Sequence, residues 1–150
     1  MRETHVITNQ KLPATLNVVG EKVTVLAGGD SSKPFEVHLQ EGKAGDGPPP
    51  HNHPWDEAFY VLEGQVELII DGESTLLDQG SYVHIPANKS HAYRNVSPVT
   101  KLLAIVSDCR GGQFFAAADE NVKSMPDDIE KLLDVGRKYD LKFDLPGPPV

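Results

Sequence analysis

Residues 45–64 read Gly-Asp-Gly-Pro-Pro-Pro-His-Asn-His-Pro-Trp-Asp-Glu-Ala-Phe-Tyr-Val-Leu-Glu-Gly, with His51, His53 and Glu57 at their centre. Pro48, Pro49 and Pro50 precede the first histidine and Pro54 follows the second, so backbone donors are missing and helical turns are blocked. On a helix the two histidines would also point to different sides. On a strand, residues two apart share a face, with Cα atoms about 6.7 Å apart. Two imidazoles so placed can converge on one ion lying about 2.1 Å from each nitrogen. Glu57 cannot continue the same straight strand, because four residues would carry it about 13 Å away. Pro54-Trp55-Asp56 must therefore turn the chain, and Glu57 opens a neighbouring strand about 4.8 Å off. The run after it, AFYVLEG, has strand character, and parity puts Phe59 and Val61 on the face of Glu57 as an apolar wall.

Working outward, the punctuation is that of an all-β chain. Thr15–Gly29 reads as a hairpin turning at Gly20-Glu21. Phe35–Glu41 alternates: Phe35, Val37 and Leu39 take one face, Glu36, His38 and Gln40 the other. Glu57–Glu63 and Gln65–Asp71 are strands joined at Gly64, and Asp71-Gly72 is a type I′ signal leading into ESTLL. Asp78-Gln79-Gly80 makes another turn before SYVHIP; Ser90–Val96 and Val99–Ser107 follow, and Gln113–Ala117 reads as a short edge strand. Strands recurring about every eight to twelve residues, with turns between them, predict an antiparallel sandwich or barrel. Near the end, Ser124-Met125-Pro126-Asp127 resembles a capping box, and Ile129, Leu132, Leu133, Gly136 and Tyr139 recur at helical spacing. That stripe packs on the barrel or on a second subunit. The tail, FDLPGPPV, reads as extended or frayed.

At 150 residues the chain fits one domain, with a barrel core over about 15–117 and a helix over about 125–140. Its single cysteine, Cys109, excludes an intrachain disulfide and suits a reducing cytosol. No stretch reads as a secretion signal or a membrane span, so the cytoplasm is the expected compartment. The net charge of −8 comes with basic residues scattered singly, which argues against nucleic acid as a partner.

A second cluster runs from Gly80 to Asn95, where His91 opens a strand after a turn and can supply a third imidazole, with Tyr93 on its face. Together the two stretches resemble the cupin superfamily. Gly45, His51, His53, Glu57 and Gly64 fit the first cupin motif, G-x5-H-x-H-x3-E-x6-G, at every position. Gly80, Pro86, His91 and Asn95 fit the second, G-x5-P-x-G-x2-H-x3-N, with Asn88 where glycine is usual. Asparagine tolerates positive φ better than other non-glycine residues, so the turn is expected to survive. The resemblance implies a jelly-roll barrel with one C-terminal helix and a metal held inside by His51, His53, Glu57 and His91. Three further stretches, VVGEKVTVLAGGDSSKPFEV, GPPPHNHPWDEAFYVLEGQVELIIDG and RGGQFFAAADE, resemble bacterial quercetin-dioxygenase-like small cupins. They imply oxygenase chemistry without specifying a substrate.

Three imidazoles and a carboxylate suit one divalent transition metal: Fe, Mn, Ni, Co, Cu or Zn. Four protein ligands leave one or two positions for water, O₂ or a small-molecule substrate. In the similar oxygenases the motif glutamate is both ligand and proton acceptor, a double role the resemblance carries to Glu57. The leading expectation is a metal-dependent dioxygenase acting on a small aromatic or enolisable molecule. The alternatives are a non-redox isomerase, cyclase or lyase, and a non-catalytic binding cupin.

Other residues carry weaker signals. His38 lies on a polar face that is either cavity lining or the solvent side, and solvent is the usual reading of such alternation. Phe59, Val61 and Tyr93 read as pocket wall. Trp55 either packs its turn, makes a dimer contact or gates the cavity. His84 has the opposite parity and faces outward; Cys109 reads as a small hydrophobe, and His5 carries no assignment. Gly42, Gly45 and Gly47 are loop punctuation, since no helix follows to make a phosphate cradle. A homodimer is expected, through the N-terminal strands or the terminal helix.

Overall fold

The computed structural model describes residues 2–29 and 31–145. Asp71 and Gly72 take φ of 51° and 81°, the left-handed pair a type I′ hairpin needs. They join β6 (Val66–Ile70) to β7 (Glu73–Leu77), with Ile70 opposite Glu73. The N-terminal hairpin, β1 (Leu16–Val18) and β2 (Glu21–Ala27), closes on Val19-Gly20 at φ 52° and 95°, one residue earlier than predicted. That register makes Glu21 a strand residue on the same inward face as Val23, since a slip of one residue exchanges the faces of a strand.

The remaining strands are β3 (Glu36–Gly42), β4 (His51–Asn52), β5 (Glu57–Glu63), β8 (Tyr82–Ile85), β9 (His91–Asn95), β10 (Thr100–Val106) and β11 (Lys142–Phe143). They form two antiparallel sheets, ordered β1-β2-β3-β10-β5-β8 and β11-β4-β9-β6-β7. This is the jelly-roll architecture that the strand spacing and motifs implied. Between the sheets Phe59, Val61, Val66, Leu68, Ile85 and Leu102 form an apolar core, each contributing about 1.5–3 kcal/mol through burial.

Two sequence expectations change near the end of the chain. Gln113–Ala117 is not an edge strand but the middle of helix α1 (Arg110–Asn121). Phe114, Ala118 and Val122 recur every fourth residue and are buried together, a period of 3.6 that the local aromatic pair obscured. Helix α2 (Ile129–Lys138) begins after the proposed capping box; instead the Asp128 carboxylate accepts the Lys123 and Ser124 N–H groups and closes the turn ahead of it. The α2 stripe packs on the body of the same chain, with Leu132, Val135 and Leu141 meeting Phe114 and Ala118 of α1 in a second apolar cluster. Of the tail, Lys142–Phe143 pairs with His51–Asn52 as a strand, whereas 146–150 lie outside the described residues.

The face of β3 also resolves against the usual reading. Glu36, His38 and Gln40 point inward at 2%, 1% and 5% exposure, while Phe35 is 45% exposed. A polar row buried to that extent must be hydrogen-bonded or face a cavity, and it does both.

Candidate metal centre

His51 and His91 stand opposite one another on the paired strands β4 and β9, with ring centroids 4.3 Å apart. His53 lies just beyond β4, its ring 5.1 Å from that of His91. Glu57 starts β5, which belongs to the other sheet. Its carboxylate therefore arrives across the sandwich and not from the neighbouring strand that spacing suggested. The Pro54-Trp55-Asp56 turn carries the chain from one sheet to the other. Glu57 Oε2 lies 3.0 Å from His53 Nε2 and 3.1 Å from His91 Nε2. All four residues are buried, and their ligand atoms fall within 4.8 Å of one another. Two donors each about 2.1 Å from one ion at right angles would be about 3.0 Å apart.

The tautomers strengthen the fit. His51 Nδ1 lies 2.9 Å from the Pro49 carbonyl, His53 Nδ1 3.0 Å from that of Trp55, and His91 Nδ1 2.8 Å from that of Lys89. A carbonyl only accepts, so each Nδ1 carries the proton and each Nε2 presents its lone pair to the shared point. Orienting bonds of this kind hold imidazoles in ligating geometry. Three lone pairs and a carboxylate with no donor among them leave room for a cation, either protons or a metal. Burial above all, then the neighbouring His91, pulls His51 down to about 3, so it is neutral and ready to ligate at pH 7. Burial is the strongest influence on His91 and lowers it, but when a proton takes the ion's place on Nε2 the hydrogen bond to Glu57, the charge of Glu57 and the Lys89 carbonyl together outweigh burial and the net shift is upward. Burial alone would raise Glu57, yet when protons take the ion's place the bonds it accepts from His53 and His91 hold it well below the usual carboxylate range.

The turn residues hold this arrangement. Trp55 is buried and stacks on His53 at 4.5 Å and 5°, with the Arg110 guanidinium 5.1 Å from its ring. Asn88 adopts φ 65°, as the motif position requires, and its N–H donates to the His53 carbonyl at 2.7 Å, tying the two motif segments together. His84 lies outside the group: its Nε2 meets Asp56 Oδ2 at 2.8 Å on the surface.

Beside these four candidate ligands is a cavity of about 80 Å³ lined by His51, His53 and Glu57 together with residues of both apolar clusters. At about 10–15 Å³ per water on this measure it holds several waters, or one compact ring-sized molecule. His38, Phe59 and Tyr93 line it. Val61, expected there, sits one row deeper in the apolar core, fully buried. Helix residues Phe114, Phe115 and Leu132 supply another part of the wall. Sequence reasoning missed Glu21 and Gln40, which also line it. Tyr93 Oη lies 2.6 Å from Glu21 Oε2 and 2.8 Å from Gln40 Oε1, and Asn95 Nδ2 donates to Glu21 at 2.8 Å. Burial pushes Tyr93 well up, and the adjacent Glu21 adds to it, so the phenol keeps its proton. The inward alternation of Glu36, His38 and Gln40 was the available signal for this polar wall.

A jelly roll carrying an inward three-histidine, one-glutamate group beside a cavity defines a class of metal-site β proteins. The chain belongs to the cupin superfamily: residues 35–106 match the family model described as a cupin domain. It is 39% identical over 111 residues to the quercetin 2,3-dioxygenase of Bacillus subtilis (strain 168), covering 67% of this chain but 33% of that protein. The fold is similar to that of an RmlC-like cupin from Shewanella frigidimarina, with TM-score 0.66, 18% identity and coverage of 75% and 97% of the two chains. It is also similar to the polyketide cyclase RemF from Streptomyces resistomycificus, with TM-score 0.59, 20% identity and coverage of 69% and 79%.

Proposed function

We propose that this protein is a metal-dependent dioxygenase acting on a small aromatic or enolisable substrate. The observation that carries the reading is the convergence of three Nε2 lone pairs and the Glu57 carboxylate beside a largely apolar cavity. The resemblance to the quercetin dioxygenase supports it, although the chain spans a third of that protein's length. His51, His53, Glu57 and His91 would hold one divalent ion, which when bound supplies Lewis acidity and, for a redox metal, a route for electrons to O₂. Glu57 Oε2 lies within reach of two imidazoles and can hold or pass a proton at that atom. Phe59, Phe114 and Phe115 exclude water around the bound molecule.

A second reading is non-redox cyclisation or isomerisation, favoured by the Glu21–Tyr93–Gln40 network, which can relay protons without oxygen. Oxygen uptake separates them. The protein, reconstituted with Fe, Mn, Ni, Co or Cu and offered flavonols and 1,2-diones, is expected to consume O₂ with at least one pair. Absence of uptake with every metal would remove the dioxygenase reading.

The proposed assembly is a single-domain homodimer in the cytoplasm. No described helix is long and apolar enough to cross a membrane. With the α2 stripe used internally, the N-terminal strands remain as a surface for pairing, and exposed Tyr60, Tyr82 and Ile105 on the outer face of the six-stranded sheet offer another. Light scattering that returns a monomer mass would contradict the dimer.

A further inference from the structure

The inward face of β3 carries a second, separate pair of ionisable groups. His38 Nε2 lies 2.9 Å from Glu36 Oε2, and both side chains are almost fully buried. The same carboxylate oxygen accepts the Gly112 N–H of the first turn of α1 at 2.7 Å, where the helix dipole favours negative charge. Its surroundings are built for close approach. A Cβ on Gly28 or Gly112 would lie 3.0 Å from Glu36 Oε1, and one on Gly111 would lie 3.0 Å from Oε2 and 3.2 Å from His38 Cε1. Glu36 accepts, so His38 carries its proton on Nε2 and presents a lone pair at Nδ1. That Nδ1 is buried and has no hydrogen-bond partner among the described residues, a costly state for a group lining a cavity. Phe115 packs edge-on against the ring at 5.0 Å and holds it there.

Register places this pair relative to the metal centre. Glu36, Val106 and Glu57 form one row across three strands, and His38, Ala104 and Phe59 form the next. Two strand spacings separate His38 from the β5 strand of Glu57, on the order of 10 Å. A ring-sized molecule can therefore meet the four-ligand group at one end and His38 at the other.

We infer that His38 is a substrate-binding proton acceptor, oriented by Glu36, for a hydroxyl on the part of a small phenolic or enolic molecule remote from the metal. The inference deepens the dioxygenase reading and rests on it for the substrate class. In the step itself the substrate O–H bond breaks, its electron pair stays on oxygen, and the proton forms an N–H bond at His38 Nδ1. Glu36 balances the resulting imidazolium and acts as a positioning residue.

The test uses the metal-loaded full chain with nitrohydroquinone as probe, a single ring whose two hydroxyls lie at opposite ends and whose anion is coloured. His38→Phe is expected to weaken probe binding about tenfold while bound metal per chain stays unchanged. Glu36→Gln is expected to keep binding but lower the fraction of probe bound as its coloured anion, which a merely structural role would not alter. Nitrogen NMR of the wild-type protein should show His38 protonated on Nε2 and its Nδ1 signal moving when the probe binds; this readout stands even if His38→Phe fails to fold. Equal binding by His38→Phe, no binding by the wild type, a proton on Nδ1, or loss of metal from the variant would each overturn the inference. Wild-type protein that binds the probe through His38 but holds no metal would instead refute the metal reading alone.

Discussion

Gly47 should matter more than Gly45, although only Gly45 belongs to the family motif. Both lie in the loop that delivers His51, and both have positive φ, 90° at Gly45 and 145° at Gly47. A Cβ on Gly45 meets nothing within 4 Å, so Gly45→Ala costs only the left-handed backbone penalty of about 1–2 kcal/mol. A Cβ on Gly47 would sit 2.1 Å from the Tyr93 carbonyl oxygen, and the gap would have to open by about 0.9 Å to reach even 3.0 Å. Neither atom is the end of a flexible side chain, so the loop or β9 must move. Backbone strain of about 1–3 kcal/mol plus a packing shift of similar size gives roughly 3–5 kcal/mol for Gly47→Ala. At roughly 2–4 °C per kcal/mol for a chain of this length, Tm should fall by roughly 6–20 °C, against roughly 2–8 °C for Gly45→Ala. Because the loop is zipped to β9 through Gly45 N–H to Asn95 O at 2.9 Å and Asn95 N–H to Asp46 O at 2.8 Å, Gly47→Ala should also weaken metal binding. Calorimetry on both variants measures the difference. A Gly47→Ala protein as stable as Gly45→Ala would refute the close-approach argument.

Burial, opposed by the bonds from Tyr93 and Asn95, raises Glu21 above the ordinary carboxyl value of 4.5. The folded chain thus holds that proton longer than the unfolded chain does, and the stabilisation, complete below 4.5, is lost as pH rises through the folded value. Glu21→Gln cannot ionise, so its urea midpoint relative to wild type should climb between pH 4 and pH 8; parallel curves would contradict this. At Asn88, φ 65° suits glycine as well as asparagine, so Asn88→Gly should change stability by less than about 0.5 kcal/mol and Asn88→Val should cost about 1–2 kcal/mol. Denaturant titration checks both, and equal effects would be inconsistent with a left-handed backbone there. Leu132→Ala, at 1% exposure in the helix cluster, should cost about 2–5 kcal/mol yet leave metal stoichiometry unchanged, because the apolar cluster it packs in contains none of the four candidate ligands; a parallel loss of metal would count against that separation.

The fold was legible in the sequence through local rules, and the grouping of the four residues through strand parity together with the two cupin motifs. Asp71-Gly72 dictates its hairpin, and His51 and His53 share a face by strand parity. Glu57 illustrates the limit. Its closeness to the histidines followed from the prolines around it, but the sheet it comes from did not, since local spacing cannot tell an adjacent strand from one across a sandwich. The face of β3 was ambiguous for the same reason: alternation gives two faces without saying which is inside, and only the partner wall of Tyr93, Asn95 and α1 makes the polar one buried. Gln113–Ala117 misled because two phenylalanines suit a strand as well as a helix. Glu36 carried no motif at all; its role depends on Gly112, 76 residues away.

The central claim is that His51, His53, Glu57 and His91 hold one ion. Metal analysis with X-ray absorption at the metal edge tests it most directly. One equivalent of a divalent transition metal per chain, bound by three imidazoles and one carboxylate and lost in both His51→Ala and His91→Ala, is the expected result. Folded protein that takes up no metal, or alanine variants that retain it in full, would contradict the claim.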